Sequence, residues 1–298
     1  MTNQKMMTQM SKKPGFIAAL DQSGGSTPGA LRHYGIPDTA YSGEDEMFRL
    51  MHEMRVRVIT APSFKGDKVI GAILFEKTMD GRANGRPVPS YLWEDRGIVP
   101  FLKVDKGLEA EKDGVSLMKP MPTLEALLAR AVSLGIFGTK MRSTINLASK
   151  TGIAAIVQQQ FAFANQILKH GLVPIIEPEV LIKSPDKAGA ESILRDELRK
   201  GLDALPAGQS VMLKLTLPET PDFYMPLIRH ERVLRVVALS GGYSLDEACE
   251  RLSRNHDMIA SFSRALLDTL RHSMSDAEFD AALAAAIDKI YQASTVKH

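Results

Sequence analysis

Hydrophobic residues in this chain fall into eight short runs, each six or seven residues long and nearly continuous rather than alternating with polar residues. Continuous apolarity over that length is typical of parallel strands that are buried on both faces. We therefore predict eight strands. They span 15–20, 71–76, 98–104, 135–141, 172–178, 210–215, 233–239 and 258–263.

Segments with helical periodicity lie between several of these runs. They predict helices over 123–134, 153–170, 188–205, 244–255 and 275–294. Ser244, followed three residues later by Glu247, is typical of a capping box. Eight strands alternating with helices predict a single (β/α)8 TIM barrel, an α/β fold. An open doubly wound sheet is the competing fold, but no G-x-G-x-x-G motif follows the first strand, which weakens its dinucleotide-binding form.

No low-complexity linker divides the chain. One barrel domain is therefore expected over 1–298, with an N-terminal extension at 1–13 and a C-terminal helix and tail at 275–298. The composition, 44% apolar and 24% charged, excludes a disordered or fibrous chain. The net charge of +2 gives no electrostatic case for a nucleic-acid partner. No oligomerisation signature is evident, and a homo-oligomer stays open.

The chain is expected to work in the cytoplasm. Its one cysteine, Cys249, excludes an internal disulfide and fits a reducing compartment. The first residues contain no apolar run long enough for a signal peptide. No stretch approaches the roughly 18 apolar residues of a membrane span, so no membrane association is expected.

Polar residues gather where the predicted strands end. In a barrel those ends meet at one mouth, where the chemistry of the fold takes place. Each residue alone has an ordinary explanation, such as an ion pair or the first turn of a helix. The set is costly without a function, because buried charges must be paired or used. Its members are Asp21, Asp105, Lys106, Lys140, Arg142, Glu177, Glu179, Lys214, Ser240, Gly241, Gly242 and Arg264.

Lys140 and Lys214 are the informative pair, because strand alternation permits both side chains to point inward. Two close ammonium groups and apolar walls are expected to lower a lysine pKa. A neutral lysine amine attacks a ketone to form an imine, and the iminium then accepts electrons from a breaking carbon–carbon bond. The charges alone leave open which of the two lysines reacts. Carboxylates that could move protons are Asp21, Glu177 and Glu179.

Two anion sites are predicted on opposite sides of the mouth. One combines the Ser-Gly-Gly turn at 240–242 with Arg264, since glycine N–H groups and a guanidinium both bind phosphate. The other combines Lys106 with Arg142. Two anion sites that flank a lysine indicate a small substrate phosphorylated at both ends.

These patches resemble the class I fructose-1,6-bisphosphate aldolases, in their shorter bacterial form, over most of the chain. The patches lie at 17–27, 72–89, 101–107, 139–142, 171–179, 212–215, 239–248 and around Arg264. The resemblance implies a (β/α)8 barrel that needs neither metal nor cofactor. It also implies reversible cleavage of fructose 1,6-bisphosphate, in glycolysis or gluconeogenesis, to dihydroxyacetone phosphate and glyceraldehyde 3-phosphate.

The resemblance also implies roles for individual residues. Lys214 matches the Schiff-base lysine, and Glu177 matches the main general acid/base. Glu179 matches a neighbouring acid that serves electrostatics and dehydration, Asp21 the acid near the scissile bond, and Lys140 the lysine that supports carbinolamine formation. The C6-phosphate is implied at Lys106 and Arg142, with Ser23 and Ser26 nearby, and the C1-phosphate at Ser240, Gly241, Gly242 and Arg264.

Three departures from the animal enzymes matter. Ser263 precedes Arg264 where those enzymes have a glycine. Gly29 and Ala30 replace a Lys-Arg pair, for which Arg32 is a candidate substitute. The last tyrosine, Tyr291, lies in the terminal helix and not in a tail, so the group that protonates the enamine stays unassigned.

Other functions remain as alternatives. A related Schiff-base barrel of the transaldolase kind would act on a different sugar phosphate, and a barrel without catalysis would only bind one. A metal-dependent aldolase would need a histidine cluster, and the seven histidines show no ligand spacing. The sequence does not decide between fructose 1,6-bisphosphate and fructose 1-phosphate as the preferred substrate.

Overall fold

The computed structural model describes residues 2–23 and 27–298. Each of the eight predicted strands is present, and its ends lie within a few residues of the predicted bounds. The strands are β1 Phe16–Leu20, β2 Val69–Leu74, β3 Val99–Lys103, β4 Gly138–Ile145, β5 Val173–Val180, β6 Val211–Thr216, β7 Val233–Leu239 and β8 Met258–Ala260.

The strands pair in chain order, each parallel to the next from β1 to β8. Parallel pairing of successive strands requires a crossover between them, and helices supply most of these crossovers. The sheet nearly closes on itself, because the Ala19 N–H of β1 donates to the Phe262 carbonyl just beyond β8, at 3.1 Å. The predicted (β/α)8 barrel is confirmed.

Twelve α-helices are present in the described part of the chain. They are α1 Thr2–Lys12, α2 Thr27–Tyr34, α3 Gly43–Thr60, α4 Glu76–Met79, α5 Val88–Ser90, α6 Leu124–Ser133, α7 Lys150–Lys169, α8 Lys187–Asp203, α9 Met225–Ile228, α10 Leu245–Ser253, α11 Arg264–Leu267 and α12 Asp276–Thr295. The five predicted helices are confirmed as α6, α7, α8, α10 and α12. The pattern did not predict α1 or the long helix α3.

Serine caps fix the start of three helices. The Ser149 hydroxyl accepts from the Gly152 N–H at 3.1 Å, and the Ser244 hydroxyl accepts from the Glu247 N–H at 3.2 Å. The complete capping box lies at Ser275, where Glu278 returns a bond to the serine N–H. At Ser244 the expected box is half formed, because the Glu247 carboxylate accepts from Arg251 at 3.2 Å instead.

Apolar side chains fill the amino-terminal half of the barrel interior. This inner cluster consists of Ile17, Ala19, Ile70, Ile73, Val99, Phe101, Phe137, Val173, Ile175, Met212, Val237 and Ile259, joined by Met6 and Met10 of α1. Helix α1 is held there because the Gln9 amide donates to the carbonyls of Ile70 and Gly97, both at 2.8 Å. The expected N-terminal extension is therefore a plug that closes the amino end of the barrel.

The C-terminal residues lie at that same amino end. The Lys297 ammonium donates to the carbonyls of Leu252, Met258 and Ala293 at 3.1, 2.7 and 2.9 Å, and Met258 is the first residue of β8. Tyr291 lies beside Lys68, just before β2, with 6.0 Å between the ammonium and the ring centroid. The described helices include none long and apolar enough to cross a membrane.

Candidate active site

A cavity of about 560 Å³ opens at the carboxyl ends of the strands. The inner apolar cluster forms the floor of this cavity. The polar groups at the strand ends therefore lie next to an apolar region of low dielectric constant. The side chains and turns that line it are Ala19, Asp21, Gln22, Ser23, Lys103, Asp105, Gly107, Leu108, Lys140, Arg142, Glu177, Glu179, Lys214, Leu239, Ser240, Gly241, Ser261, Ser263 and Arg264. The structure thus brings together most of the polar residues that we predicted at the strand ends.

A row of four buried charges crosses this mouth. The Lys214 ammonium lies 3.0 Å from Glu177 Oε1, and Glu177 Oε2 lies 2.9 Å from the Lys140 ammonium. Lys140 in turn lies 2.6 Å from Asp21 Oδ2. The four side chains are each at most 8% exposed. Two lysines therefore share one carboxylate, and a second carboxylate ends the row.

The expected lowering of a lysine pKa is wrong for Lys140. Burial disfavours its ammonium, but the charges of Asp21, Glu177 and Asp105 outweigh burial and raise the pKa of Lys140. Burial likewise opposes the charged form of Asp21, yet Lys140 and Lys214 outweigh it and lower the pKa of Asp21 to about 2. The error arose because the sequence placed the lysines and carboxylates at one mouth but did not show which carboxylates would lie against Lys140.

Lys106, predicted as an anion ligand, does not line the mouth. It follows β3 by three residues and pairs on the surface with Glu76 at 2.7 Å. Lys103 lines the mouth instead, with its ammonium 2.7 Å from Asp105 Oδ1. Strand alternation could have identified it, because Phe101 points into the barrel and residue 103 shares its face.

On the side of the mouth formed by β3 and β4, each cationic side chain is paired with a carboxylate. The Arg142 guanidinium donates to Glu179, and the Arg142 N–H donates to Asp105 Oδ2 at 3.2 Å. The Arg142 side chain is 40% exposed, so it can reach a ligand that enters from solvent. Lys103 and Arg142 thus form one cationic rim, and each is paired with an acid.

The opposite rim follows β7 and β8. Ser240, Gly241 and Arg264 line it, and Gly242 flanks the Arg264 guanidinium, since a Cβ on Gly242 would come within 3.4 Å of it. Gly241 has a φ of +62° and a Cβ there would lie 2.7 Å from Ile182, so this turn requires glycine. Two cationic rims thus flank the buried row of charges: Ser240, Gly241 and Arg264 as predicted on one side, and Arg142 with Lys103, in place of the predicted Lys106, on the other.

Three remaining predictions concern the loop after β1. Ser23 lines the cavity, whereas Ser26 lies outside the described residues. Arg32, in α2, does not line the cavity and pairs with Asp38 at 2.6 Å, so the structure does not support it as a substitute for the Lys-Arg pair. Gln22 and Ser261 also line the cavity, and uncharged side chains gave no signal that could have singled them out.

The lone cysteine lies apart from the mouth. Cys249 is buried against α12, where its thiol contacts the Lys289 carbonyl, and burial raises its pKa to about 11. Among the described residues, no group of three or more histidine, cysteine, aspartate or glutamate side chains is arranged to hold a metal ion.

The fold is a (β/α)8 barrel with a charged cavity at the carboxyl ends of its strands, which is where enzymes of this fold have their active sites. A family model described as "Fructose-bisphosphate aldolase class-I" matches residues 5–207. A relative from Synechocystis named "Fructose-bisphosphate aldolase class 1" is 59% identical over 292 residues, covering 98% of this chain and 97% of the relative. A Porphyromonas gingivalis relative of the same name is 56% identical, covering 98% and 99%. The chain belongs to the class I fructose-bisphosphate aldolases, which are carbon–carbon lyases.

Two solved structures share the fold. The Plasmodium falciparum fructose-bisphosphate aldolase, solved in a ternary complex with TRAP and a small-molecule inhibitor, superposes with a TM-score of 0.76 at 20% identity and covers 100% of this chain and 96% of its own. A Corynebacterium glutamicum protein superposes with a TM-score of 0.56 at 14% identity, covering 98% and 92%. At these identities the likeness shows the fold alone, which rules out the doubly wound sheet.

Proposed function

We propose that this enzyme cleaves fructose 1,6-bisphosphate reversibly to dihydroxyacetone phosphate and glyceraldehyde 3-phosphate, through an imine on Lys214. The observation that carries the proposal is the buried row Lys214–Glu177–Lys140–Asp21, set between two cationic rims. The names of the relatives at 56–59% identity support the bisphosphate as substrate.

Lys214, rather than Lys140, is the nucleophile in this proposal. Lys140 is held between two carboxylates and its pKa is raised, so it keeps its proton and cannot attack a carbonyl. Among the residues that the structure describes, Lys214 touches one carboxylate, Glu177, at 3.0 Å. Glu177 takes the proton that Lys214 must lose and returns it to the departing carbinolamine hydroxyl as water leaves. The Lys140 ammonium stabilises the oxygen on which negative charge develops.

Asp21 then acts as the base for carbon–carbon cleavage. Its lowered pKa keeps it ionised, and it lies 2.6 Å from Lys140 at the end of the row. Asp21 takes the proton of the C4 hydroxyl, the C3–C4 bond breaks, and its electron pair moves into the iminium to leave an enamine. Glyceraldehyde 3-phosphate departs. Protonation of the enamine at C3 and hydrolysis of the imine release dihydroxyacetone phosphate and restore the Lys214 amine.

The two rims bind the two phosphates. Ser240, Gly241, Gly242 and Arg264 take the C1-phosphate, and Lys103 with Arg142 takes the C6-phosphate. At the C6-phosphate rim, Lys103 is already paired with Asp105 and Arg142 with Glu179. An incoming phosphate therefore replaces these carboxylate contacts instead of adding new ones. Exchange of this kind limits the gain in affinity from the C6-phosphate, because each cation gives up one anion for another.

Borohydride reduction with dihydroxyacetone phosphate, followed by peptide mapping, tests the assignment of the imine. The reduced adduct is expected on Lys214. Lys187 is a matched internal control, because it is equally buried and also touches a glutamate, Glu191, at 2.5 Å, but lies outside the mouth. An adduct on Lys140 or Lys103, or none at all, would contradict the proposal. Fructose 1-phosphate assayed beside the bisphosphate would separate it from a transaldolase-like activity.

We further propose that residues 1–298 form one domain. The inner cluster joins α1 to strands from both halves of the chain, and α12 packs on β8 and α10, so no segment has a core of its own. A cytoplasmic site of action, in glycolysis or gluconeogenesis, is the setting in which the two phosphorylated products arise. The free thiol of Cys249 fits that reducing compartment.

A further inference from the structure

The seam between β8 and β1 is the weakest joint of the barrel. Seven neighbouring strand pairs are joined by ladders, and the path of the sheet begins at β1 and ends at β8. At the seam, the Ala19 N–H donates to the Phe262 carbonyl at 3.1 Å. Asp21 stands just past β1 and Arg264 just past β8, so the distance between a proposed base and a proposed phosphate ligand depends on this joint.

A second contact crosses the seam at the mouth. The Gln22 amide donates to the Ser263 hydroxyl at 2.5 Å, and these two residues adjoin Asp21 and Arg264 in the chain. The Ser263 hydroxyl is the acceptor of this bond, so a residue without a hydroxyl at position 263 would remove it. The Ser263 carbonyl also receives the Leu266 N–H at 3.1 Å and so starts α11.

Arg55 holds Gln22 from behind. It is 1% exposed, donates to the Gln22 carbonyl, and donates to the Thr78 hydroxyl at 2.8 Å. Within the described part of the chain it has no carboxylate at ion-pair distance, and burial lowers its pKa to about 10. Burial disfavours the charge of this guanidinium, and the Asp21 carboxylate offsets part of that cost. Arg55 is thereby kept buried where it holds the Gln22 carbonyl.

A second cavity of about 350 Å³ lies on the far side of Gln22 and Arg264, lined mostly by apolar side chains of α2, α3 and α11. Cavities remove the packing that would otherwise fix a side chain in place. On the side of this cavity, Gln22 is held by its hydrogen bonds to Ser263 and Arg55.

We propose that Gln22, Ser263 and Arg55 form a latch that closes the β1–β8 seam and positions Asp21 and Arg264 across the mouth. The proposal rests on the proposed function, which assigns Asp21 and Arg264 their roles. The three latch residues are positioning residues: they act through the backbone on each side of the seam.

A double-mutant cycle on Gln22→Met and Ser263→Ala tests the latch. Each single change is expected to raise KM for fructose 1,6-bisphosphate about five- to tenfold, the range that one lost hydrogen bond produces. The double variant should be no worse than either single variant, because both remove the same bond. Ser263→Thr keeps the hydroxyl and should restore a KM near that of the unchanged enzyme.

The chain offers a matched control pair. Gln160 of α7 donates to the Ser143 hydroxyl at 3.0 Å, the same bond between the same residue types, on the opposite side of the barrel and outside the mouth. Gln160→Met and Ser143→Ala should lower the urea midpoint and leave KM unchanged. Additive effects at Gln22 and Ser263, an unchanged KM, or an equal rise in KM for the control pair would overturn the latch.

Hydrogen exchange separates failure of the latch from failure of the proposed function. In Gln22→Met the amides of residues 262–264 should exchange faster than in the unchanged chain, whether or not the protein turns over substrate. Slow exchange in that variant overturns the latch. A missing borohydride adduct on Lys214 overturns the proposed function and leaves the exchange result valid.

Discussion

Three buried lysines in this chain have three different surroundings. Lys187 is neutralised by Glu191 at 2.5 Å and Glu219 at 3.1 Å, and it also donates to a carbonyl. Lys140 lies between Asp21 and Glu177. In the described part of the chain Lys214 has one ion-pair partner, Glu177, and shares it with Lys140. Asp21 and Glu177 together raise the pKa of Lys140 and keep it protonated, which is the physical reason for preferring Lys214 as the nucleophile.

The assignment of the C6-phosphate makes a prediction at the residue scale. Lys103→Met should raise KM for fructose 1,6-bisphosphate by tenfold or more, because an ammonium is lost from the mouth. It should change KM for fructose 1-phosphate less than threefold, since that substrate has no phosphate at C6. Lys106→Met is the control and should change neither value. Steady-state kinetics on both substrates measure this, and a larger effect at Lys106 would contradict the assignment.

The charge of Asp21 links stability to pH. Its pKa is lowered in the folded chain from the usual 3.8 to about 2. The ionised form therefore stabilises the fold above about pH 4, and that contribution is lost as pH falls through about 2. It amounts to roughly 2 kcal/mol. Asp21→Asn should lose less stability between pH 5 and pH 3 than the unchanged chain, as measured by urea unfolding. Equal losses would mean that the Asp21 pKa is not lowered.

Helix α1 is an element whose role the hydrophobic pattern did not reveal. Its sequence is polar apart from methionines, and two of these, Met6 and Met10, enter the barrel. Met10→Ala should lower the free energy of unfolding by about 2–5 kcal/mol, because it leaves a cavity in a packed interior. Turnover should stay within twofold, since the plug and the mouth lie at opposite ends. Met7→Ala, a half-buried neighbour, is the control with a smaller expected loss in urea unfolding.

At the scale of the whole molecule, the C-terminus and the mouth lie at opposite ends. Deleting residues 296–298 removes the three bonds of Lys297 to Leu252, Met258 and Ala293. We expect a lower urea midpoint, because each lost bond contributes about 0.5–1.5 kcal/mol. The exchange of the C3 proton of dihydroxyacetone phosphate in D2O, followed by NMR, should stay within twofold. A tenfold loss of exchange would show that the tail acts at the mouth.

If that exchange is unchanged, the enamine proton comes from the mouth itself. Glu177 is the acid that contacts the Lys214 nitrogen, and the C3 atom of the enamine is two bonds from that nitrogen. We therefore propose Glu177 as the group that delivers this proton.

The sequence by itself determined the strands and the residues at their carboxyl ends. Continuous apolar runs identify buried parallel strands because burial on both faces is a local requirement on each run. The order of strands in a barrel follows chain order, so the strand ends could be assigned to one mouth before any contact was known. Asp21, Lys140, Glu177 and Lys214 were all identified in this way, and the structure brings them together.

Only the tertiary structure decided the electrostatics and the joints between distant segments. Lys140 looked like a lysine with a lowered pKa until Asp21, more than a hundred residues earlier in the chain, was found against it. The bond from Gln22 to Ser263 joins residues 241 positions apart. Local pattern specifies which side chain faces the barrel, because alternation has a period of two. It carries no information about which charge or hydroxyl arrives from another strand.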